Sequence, residues 1–522
     1  MLAQSYQSLL DRLAADIPQA RLITDPLRTL AYGTDASFYR LTPKVIVKVE
    51  NETETLAVIK ACRELKIAIT FRASGTSLSG QALSDSVLVV LGPEGWRDYH
   101  INADKSEITL GAAILGAEAN GYLAPYGKKI GPDPASINSA KIGGIVSNNA
   151  CGMASGITGN SMGTVLGMRI IFADGTVLDT RDADSRRAFL ANRRDMVDGV
   201  TDLARRLKED ADTVARIRRK YEIKNTTGYS VSALINFDDP IEMIQHLMIG
   251  SEGTLGFISE VTFRTLAMPV YKSTGLMLFP DIARACEAVV LLKDCQVSAA
   301  ELMDRVSLRS VENKSGMPPY IKSLGDTVTA LLVETAADDT ETLQRQVDDI
   351  FTKFAGFSMV REFEFSTDPA QAAALWSIRS GLFPSVCHAR QKGTTVIIED
   401  IAVPIDQLRD CLLELQDMFD QYAYKDTIIW GHVFDGNVHF VLTPNLSDSA
   451  EIDKYKAFME ALADMVVDKY DGSLKAEHGT GRNMAPFVRR EWGDLIYDVM
   501  RGVKALFDPG HMLNPGAVSY TH

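Results

Sequence analysis

At 522 residues, with 46% hydrophobic and 23% charged side chains, the chain is too long for one core and has the composition of two or three globular domains. A formal charge of −14 repels phosphate backbones and anionic lipid headgroups. With no basic patch to oppose that field, nucleic-acid and membrane-surface binding are excluded as leading readings.

The first twenty residues alternate apolar and polar types at helical spacing and lack the features of a secretory signal, so residues 1–33 are expected to form a helical lead. No apolar run approaches the roughly 20 residues that span a bilayer. A cytoplasmic protein is expected, peripheral to a membrane at most through a partner. Six scattered cysteines include no C-x-x-C pair, which predicts reduced, mostly buried thiols.

From Thr34 to Leu266 short β-branched runs alternate with helix-like stretches: KVIVKV at 44–49, ETLAVIKACRELK at 54–66, SVLVVL at 86–91. The first glycine-rich segment runs from Phe71 to Gln81. Its glycines and hydroxyls suit a phosphate-binding loop, although by themselves they fit a plain structural turn better. The second, from Gly131 to Gly152, is dominated by small residues over more than twenty positions, which a long cofactor lying along the backbone requires and a protein core does not. The polar stretch 183–219 reads as a solvated helical element. The third glycine segment, GSEGTLG at 250–256, is neither a Rossmann turn nor a Walker loop.

A domain boundary is expected near 268. Beyond it, helical patterns such as ARACEAVVLLKDC and DQLRDCLLELQDMF interleave with strands DTVTALLVE and TTVIIEDIAV. Residues 428–442 read as two apolar strands around Asp435-Gly436, a dipeptide that favours a two-residue type I′ turn. That turn would set His432 directly opposite His439, with Cβ atoms roughly 5 Å apart. Such a pair is either a chance cross-strand contact or two ligands of a metal, with Glu477 of the EHG segment as the best third ligand.

The order RASGTSLSGQ, PDPAS…IGGIVSNNACG, LGMRIIFADGTVLDT, KNTTGY, GSEGTLGFISEVT resembles the FAD-binding half of the vanillyl-alcohol-oxidase superfamily. The remainder resembles its branch of D-lactate, glycolate-oxidase-subunit and D-2-hydroxyglutarate dehydrogenases, whose divalent-metal signature is H-x-x-x-G-N-x-H followed by E-H-G. The resemblance implies an α+β chain: a two-subdomain FAD-binding domain of the p-cresol methylhydroxylase (PCMH) type over 34–268, a substrate cap over 269–475 with an antiparallel sheet flanked by helices, and a C-terminal segment 476–522 returning to the flavin. It places Arg72, Ala73, Ser74, Gly75, Thr76 and Ser77 at the pyrophosphate with Gly80 and Gln81 nearby. Pro132, Asp133, Gly143, Gly144, Ser147, Asn149 and Gly152 would follow the flavin and ribityl chain. Glu252, Gly253, Gly256 and Ile258 would lie near the adenine, and Asn514 at the flavin ring. No histidine stands in the first loop, so FAD is expected to be non-covalent.

The same resemblance implies oxidation of a small D-2-hydroxy acid by hydride transfer to the flavin. A zinc, manganese or iron ion would be held by His432, His439 and Glu477, with His478 as general base and Arg379 clamping the substrate carboxylate. Where D-2-hydroxyglutarate dehydrogenases carry polar groups toward a second carboxylate, this sequence has Phe383, Ile398 and Val441. Apolar walls leave a second carboxylate unpaired, favouring D-lactate or another apolar acid; in another register Lys392 would restore the charge. D-2-hydroxyglutarate, glycolate, and the flavin half of a longer iron–sulfur dehydrogenase are the alternatives. The electron acceptor (quinone, cytochrome, electron-transfer flavoprotein or iron–sulfur protein) and a homodimeric assembly stay open.

Overall fold

The computed structural model describes residues 2–153, 155–314 and 317–518. The chain forms two compact units, Met1–Ala267 with Glu477–His522, and Met268–Ala476, so the second is an insertion in the sequence of the first.

The first unit contains two larger sheets, besides a two-stranded pairing of Lys128–Lys129 with Leu266–Ala267. Strands β1 (Leu22–Ile23), β2 (Val45–Val49), β3 (Ile69–Arg72) and β4 (Val87–Leu91) form the order β1-β2-β4-β3, with β2, β4 and β3 parallel. Parallel strands covered on both faces need apolar residues at nearly every position. VLVVL in β4 meets this with all five residues buried. The crossover from β2 to β3 is the helix Glu52–Leu65, started by the Asn51 side chain accepting from the Glu54 N–H and ended by left-handed Lys66. The first glycine-rich loop therefore leaves from the carboxyl end of a parallel strand.

The second sheet is antiparallel: β5 (Tyr99–Ile101), β6 (Glu107–Gly111), β7 (Val165–Ile171), β8 (Val177–Asp179) and β9 (Phe257–Arg264), in the order β5-β6-β9-β7-β8. The polar stretch becomes three helices, Ala183–Asn192, Arg194–Lys208 and Ala211–Lys220. It is not solvated all round: Met196, Val200, Leu203, Ala204 and Leu207 form a buried stripe on the middle helix.

The second unit is built on one seven-stranded antiparallel sheet. Its strands are β10 (Tyr271–Phe279), β11 (Ala299–Met303), β12 (Thr329–Ala337), β13 (Phe365–Ser366), β14 (Ile397–Ala402), β15 (Ile429–His432) and β16 (Asn437–Leu442), in the order β13-β10-β12-β11-β15-β16-β14. Helices that include Ile282–Leu292, Thr340–Lys353 and Leu408–Gln421 complete the unit, giving the α+β architecture expected. Five of the six cysteines are buried, and all six are free thiols. Among the described residues no helix is long and apolar enough to cross a membrane.

The C-terminal stretch locks onto the first unit through a buried lysine. Lys504 Nζ donates to the carbonyls of Thr254 (2.8 Å) and Leu513 (2.9 Å) and pairs with Asp508 (2.7 Å). Lys504→Met leaves the Asp508 carboxylate buried without its cation. It is expected to lower the unfolding free energy by about 3–5 kcal/mol, read from the denaturant midpoint.

Candidate active site

In the first unit the three glycine-rich segments converge. A Cβ on Gly144 would stand 3.2 Å from Ala73 Cβ, so the second segment passes close against the first loop. Glu252, at φ 54°, donates its N–H to the Ser147 carbonyl (2.8 Å), which joins the third segment to the second. A Cβ on Gly152 would come within 2.1 Å of the Asp133 carbonyl, so that position requires glycine, and one on Gly256 would stand 3.0 Å from the Ile171 carbonyl, a tight approach. Gly143 lies against Ala112, Gly253 against Phe71, and Ile258 pairs with Ile170 within the second sheet.

Asn514 ties these segments together. Its side chain donates to the carbonyls of Gln81 (2.9 Å) and Glu252 (2.8 Å) and accepts from Thr70 (3.2 Å), and its N–H bonds the Ile69 carbonyl (2.7 Å).

The first loop offers an unused set of donors. The N–H groups of Gly75, Thr76 and Ser77 and the hydroxyls of Ser74, Thr76 and Ser77 take no hydrogen bond within the described residues. Ser79 and Ser251 bury hydroxyls that also lack a partner there. The loop residues Ser74 to Ser77 are half-buried, and open N–H and hydroxyl groups on a glycine-rich loop, beside two buried hydroxyls that need a partner, fit a phosphate-bearing ligand. Gly75 (φ 76°) lies over the Arg72 guanidinium, which itself bonds the Thr34 carbonyl (2.8 Å) and faces the Tyr32 ring. Burial pushes the Arg72 guanidinium below its ordinary value, partly offset by Asp35. Gly80 and Pro132 are buried nearby in sequence to these segments.

Two features of this unit lay outside the sequence reading. Asn149 is a left-handed helix cap whose side chain accepts from the Met162 N–H, while its neighbour Asn148 is the residue that bridges the Gln81 side chain (3.4 Å) and the Glu477 carbonyl (3.0 Å). The KNTTGY segment holds the EHGTG turn. Lys224 Nζ pairs with Glu477 (2.9 Å), Thr226 accepts from the Gly479 N–H (3.1 Å), and Gly228 donates to Thr480 (2.7 Å). The His478 carbonyl accepts from Gln81 (2.8 Å), and the Gly481 N–H bonds the Glu252 carboxylate. Glu477 and His478 are thus fixed against the glycine-rich segments.

In the second unit, side-chain alternation along the strands produces a polar end on an apolar face. Leu332, Met303, Trp430, Val441 and Ile398 belong to one apolar cluster. Two residues further along their strands stand Glu301, His432, His439 and Asp400, contributed by the consecutive strands β11, β15, β16 and β14, and all four are buried. Glu301 lies directly across from His432, and Asp400 across from His439.

The expected two-residue turn does not form, and His432 is not paired with His439. The register is Trp430 to His439, because Val433, Phe434 and Asp435 make a 3-10 turn closed by Gly436 N–H to the Val433 carbonyl (3.1 Å), and left-handed Gly436 (φ 63°) follows it. The imidazoles still share a face, since residues two apart on a strand do. They stand diagonally, with ring centroids 5.1 Å apart.

Glu301 Oε1 meets His432 Nδ1 at 2.6 Å and its Oε2 accepts from Arg379 Nε at 2.6 Å. Burial alone would raise the Glu301 carboxyl, but His432 and Arg379 outweigh it and hold it below the ordinary range. Arg379 lies 5.8 Å over the Trp430 ring, and its two terminal nitrogens have no protein hydrogen bond among the described residues. Lys475 pairs with Glu399 (2.6 Å) and Asp400 (3.4 Å); burial lowers its ammonium, and the two carboxylates more than compensate. Phe383 packs on the same apolar cluster as Val441, and Lys392 is exposed on the loop after the helix Leu382–Ala389.

Residues 268–518 match the family of FAD linked oxidases, C-terminal domain, and residues 43–181 match the FAD binding domain. The chain thus carries an FAD binding domain followed by the C-terminal domain of FAD linked oxidases. This flavoprotein is 24% identical over 99% of its length to a D-2-hydroxyglutarate dehydrogenase of Pantoea ananatis, of which it covers 52%. It is 25% identical over 92% of its length to the mitochondrial D-lactate dehydrogenase [cytochrome] of Arabidopsis thaliana, covering 74% of that protein. The chain therefore spans about half the length of the first relative. Its fold is that of p-cresol methylhydroxylase, matched with a TM-score of 0.69 over 99% of this chain and 97% of the other at 12% identity.

A Cβ on Gly436 would stand 1.8 Å from the Val403 carbonyl. Gly436→Ala combines that clash with a left-handed backbone, and its unfolding free energy is expected to fall by more than about 1–2 kcal/mol in chemical denaturation.

Proposed function

We propose that this FAD linked oxidase is a dehydrogenase that oxidises a D-2-hydroxy acid, with D-lactate or another apolar acid favoured, to the 2-oxo acid. The observation that carries the reading is the buried imidazole pair whose supporting carboxylate, Glu301, also holds Arg379 by Nε alone. A guanidinium held that way keeps both terminal nitrogens for the parallel hydrogen bonds that a carboxylate accepts.

Non-covalent FAD is assigned to the loop Arg72–Ser77 and the glycine-rich segments, where the unpartnered hydroxyls and N–H groups support it. His432 and His439, with Glu477 as third ligand on the strength of the family signature, are assigned to a divalent metal. Nitrogen and carboxylate donors suit zinc, manganese or iron. When bound, FAD supplies the hydride acceptor at N5, and the metal supplies polarisation of the substrate hydroxyl. Arg379 binds and orients the carboxylate. His478 takes the hydroxyl proton, a role suited to an imidazole whose backbone is pinned by Gln81. The electrons leave to a quinone, a cytochrome, an electron-transfer flavoprotein or an iron–sulfur protein.

The apolar cluster of Phe383, Ile398 and Val441 beside Trp430 supports a substrate with an apolar side chain, since a second carboxylate there lacks a partner. Lys392, exposed, gives no support to a dicarboxylate reading. Two alternatives keep specific support: D-2-hydroxyglutarate or glycolate as substrate, from the relatives' names, and the flavin half of a longer iron–sulfur dehydrogenase, from the half-length match.

Anaerobic mixing with candidate acids tests the reading. D-lactate is expected to bleach the flavin at least about tenfold faster than D-2-hydroxyglutarate, and chelation to slow bleaching by a similar factor. Faster bleaching by D-2-hydroxyglutarate moves the assignment to the first alternative, and indifference to chelator removes the metal.

A further inference from the structure

Glu301 stands in AAELM, a strand with no family motif, yet it is completely buried and both its oxygens are used. One oxygen meets His432 Nδ1 and the other accepts from Arg379 Nε, each at 2.6 Å. A neutral imidazole carries its proton on one nitrogen and its lone pair on the other, and an ionised carboxylate can only accept. Facing Glu301, Nδ1 therefore carries the proton, which leaves the Nε2 lone pair. At the same time Nε of Arg379 is spent, which leaves its terminal nitrogens.

We propose that Glu301 is a positioning residue for two partners at once: it sets the His432 tautomer that ligates a metal through Nε2, and it aims the Arg379 terminal nitrogens at the substrate carboxylate. The inference rests on the metal reading given above and deepens it. It adds a carboxylate that touches neither ion nor substrate, and it makes ion binding and carboxylate binding depend on one side chain. Glu301→Gln cannot serve both partners as acceptor, because an amide has one oxygen. Either Nδ1 or the guanidinium then faces an NH2 group.

The test uses the full chain loaded with FAD, stripped of metal, and zinc titrated against a chromophoric chelator. Glu301→Gln is expected to bind zinc about 10- to 100-fold more weakly than wild type, the usual effect of removing a hydrogen-bond partner behind a ligating histidine. Glu334→Gln serves as the comparison. Glu334 is another buried acid of the same sheet, paired with Lys272 (2.8 Å) and Trp376 (2.9 Å), and its variant is expected to melt earlier with zinc affinity unchanged. A folded Glu301→Gln with wild-type zinc affinity overturns the inference. If that variant does not fold, Glu301→Asp keeps the charge but is one methylene too short to reach both partners; it is expected to lose at least about tenfold, and wild-type affinity overturns the inference equally. Wild-type protein that takes up no zinc removes the metal reading itself and this inference with it.

Discussion

A carboxylate taken out of water must find a cation or several donors, and this requirement organises both units. Glu301 is shared between His432 and Arg379, Glu399 and Asp400 share Lys475, Glu477 has Lys224, and Asp508 has Lys504. Each pair joins segments distant in sequence or fixes the end of a helix. Within each unit such pairs, together with the apolar packing around them, fix where the candidate side chains stand. A buried acid with two partners also transmits displacement: movement of one partner is felt by the other through a bond of hydrogen-bonding length.

Much of this was legible in the sequence, for identifiable reasons. Glycines that admit no Cβ, such as Gly152, announce close backbone approach, and five apolar positions in VLVVL announce a strand covered on both sides. The hairpin was legible as a hairpin, but its register was not. Asp-Gly serves a two-residue turn and also the end of a longer 3-10 turn, and the dipeptide alone does not distinguish them. Glu301 was not legible because a single acid in a strand normally faces water. Its meaning comes from lying across from His432, and strand order is not written locally. Asn148 and Lys224 escaped for the same reason: their partners, Gln81 and Glu477, lie 67 and 253 residues away.

Side-chain alternation gives the second unit a graded face. The same strands that bury Met303, Trp430 and Val441 in an apolar cluster carry Glu301, His432 and His439 at the next position on that face. Apolar packing below holds the polar row above it at fixed spacing, so the rigidity of the imidazole pair derives from hydrophobic contact. This is how a strand can present a histidine without the side-chain freedom that a loop would allow.

The knot at Asn514 bears on how the protein is made. Strand β3 and the loops containing Gln81 and Glu252 leave the ribosome hundreds of residues before the asparagine that joins them, with the whole second unit synthesised in between. During translation those early loops lack their fastener, and the first unit reaches its final shape only after Asn514 has been made. The joining of the glycine-rich segments is consequently a late event of synthesis, although the segments themselves are made before the second unit.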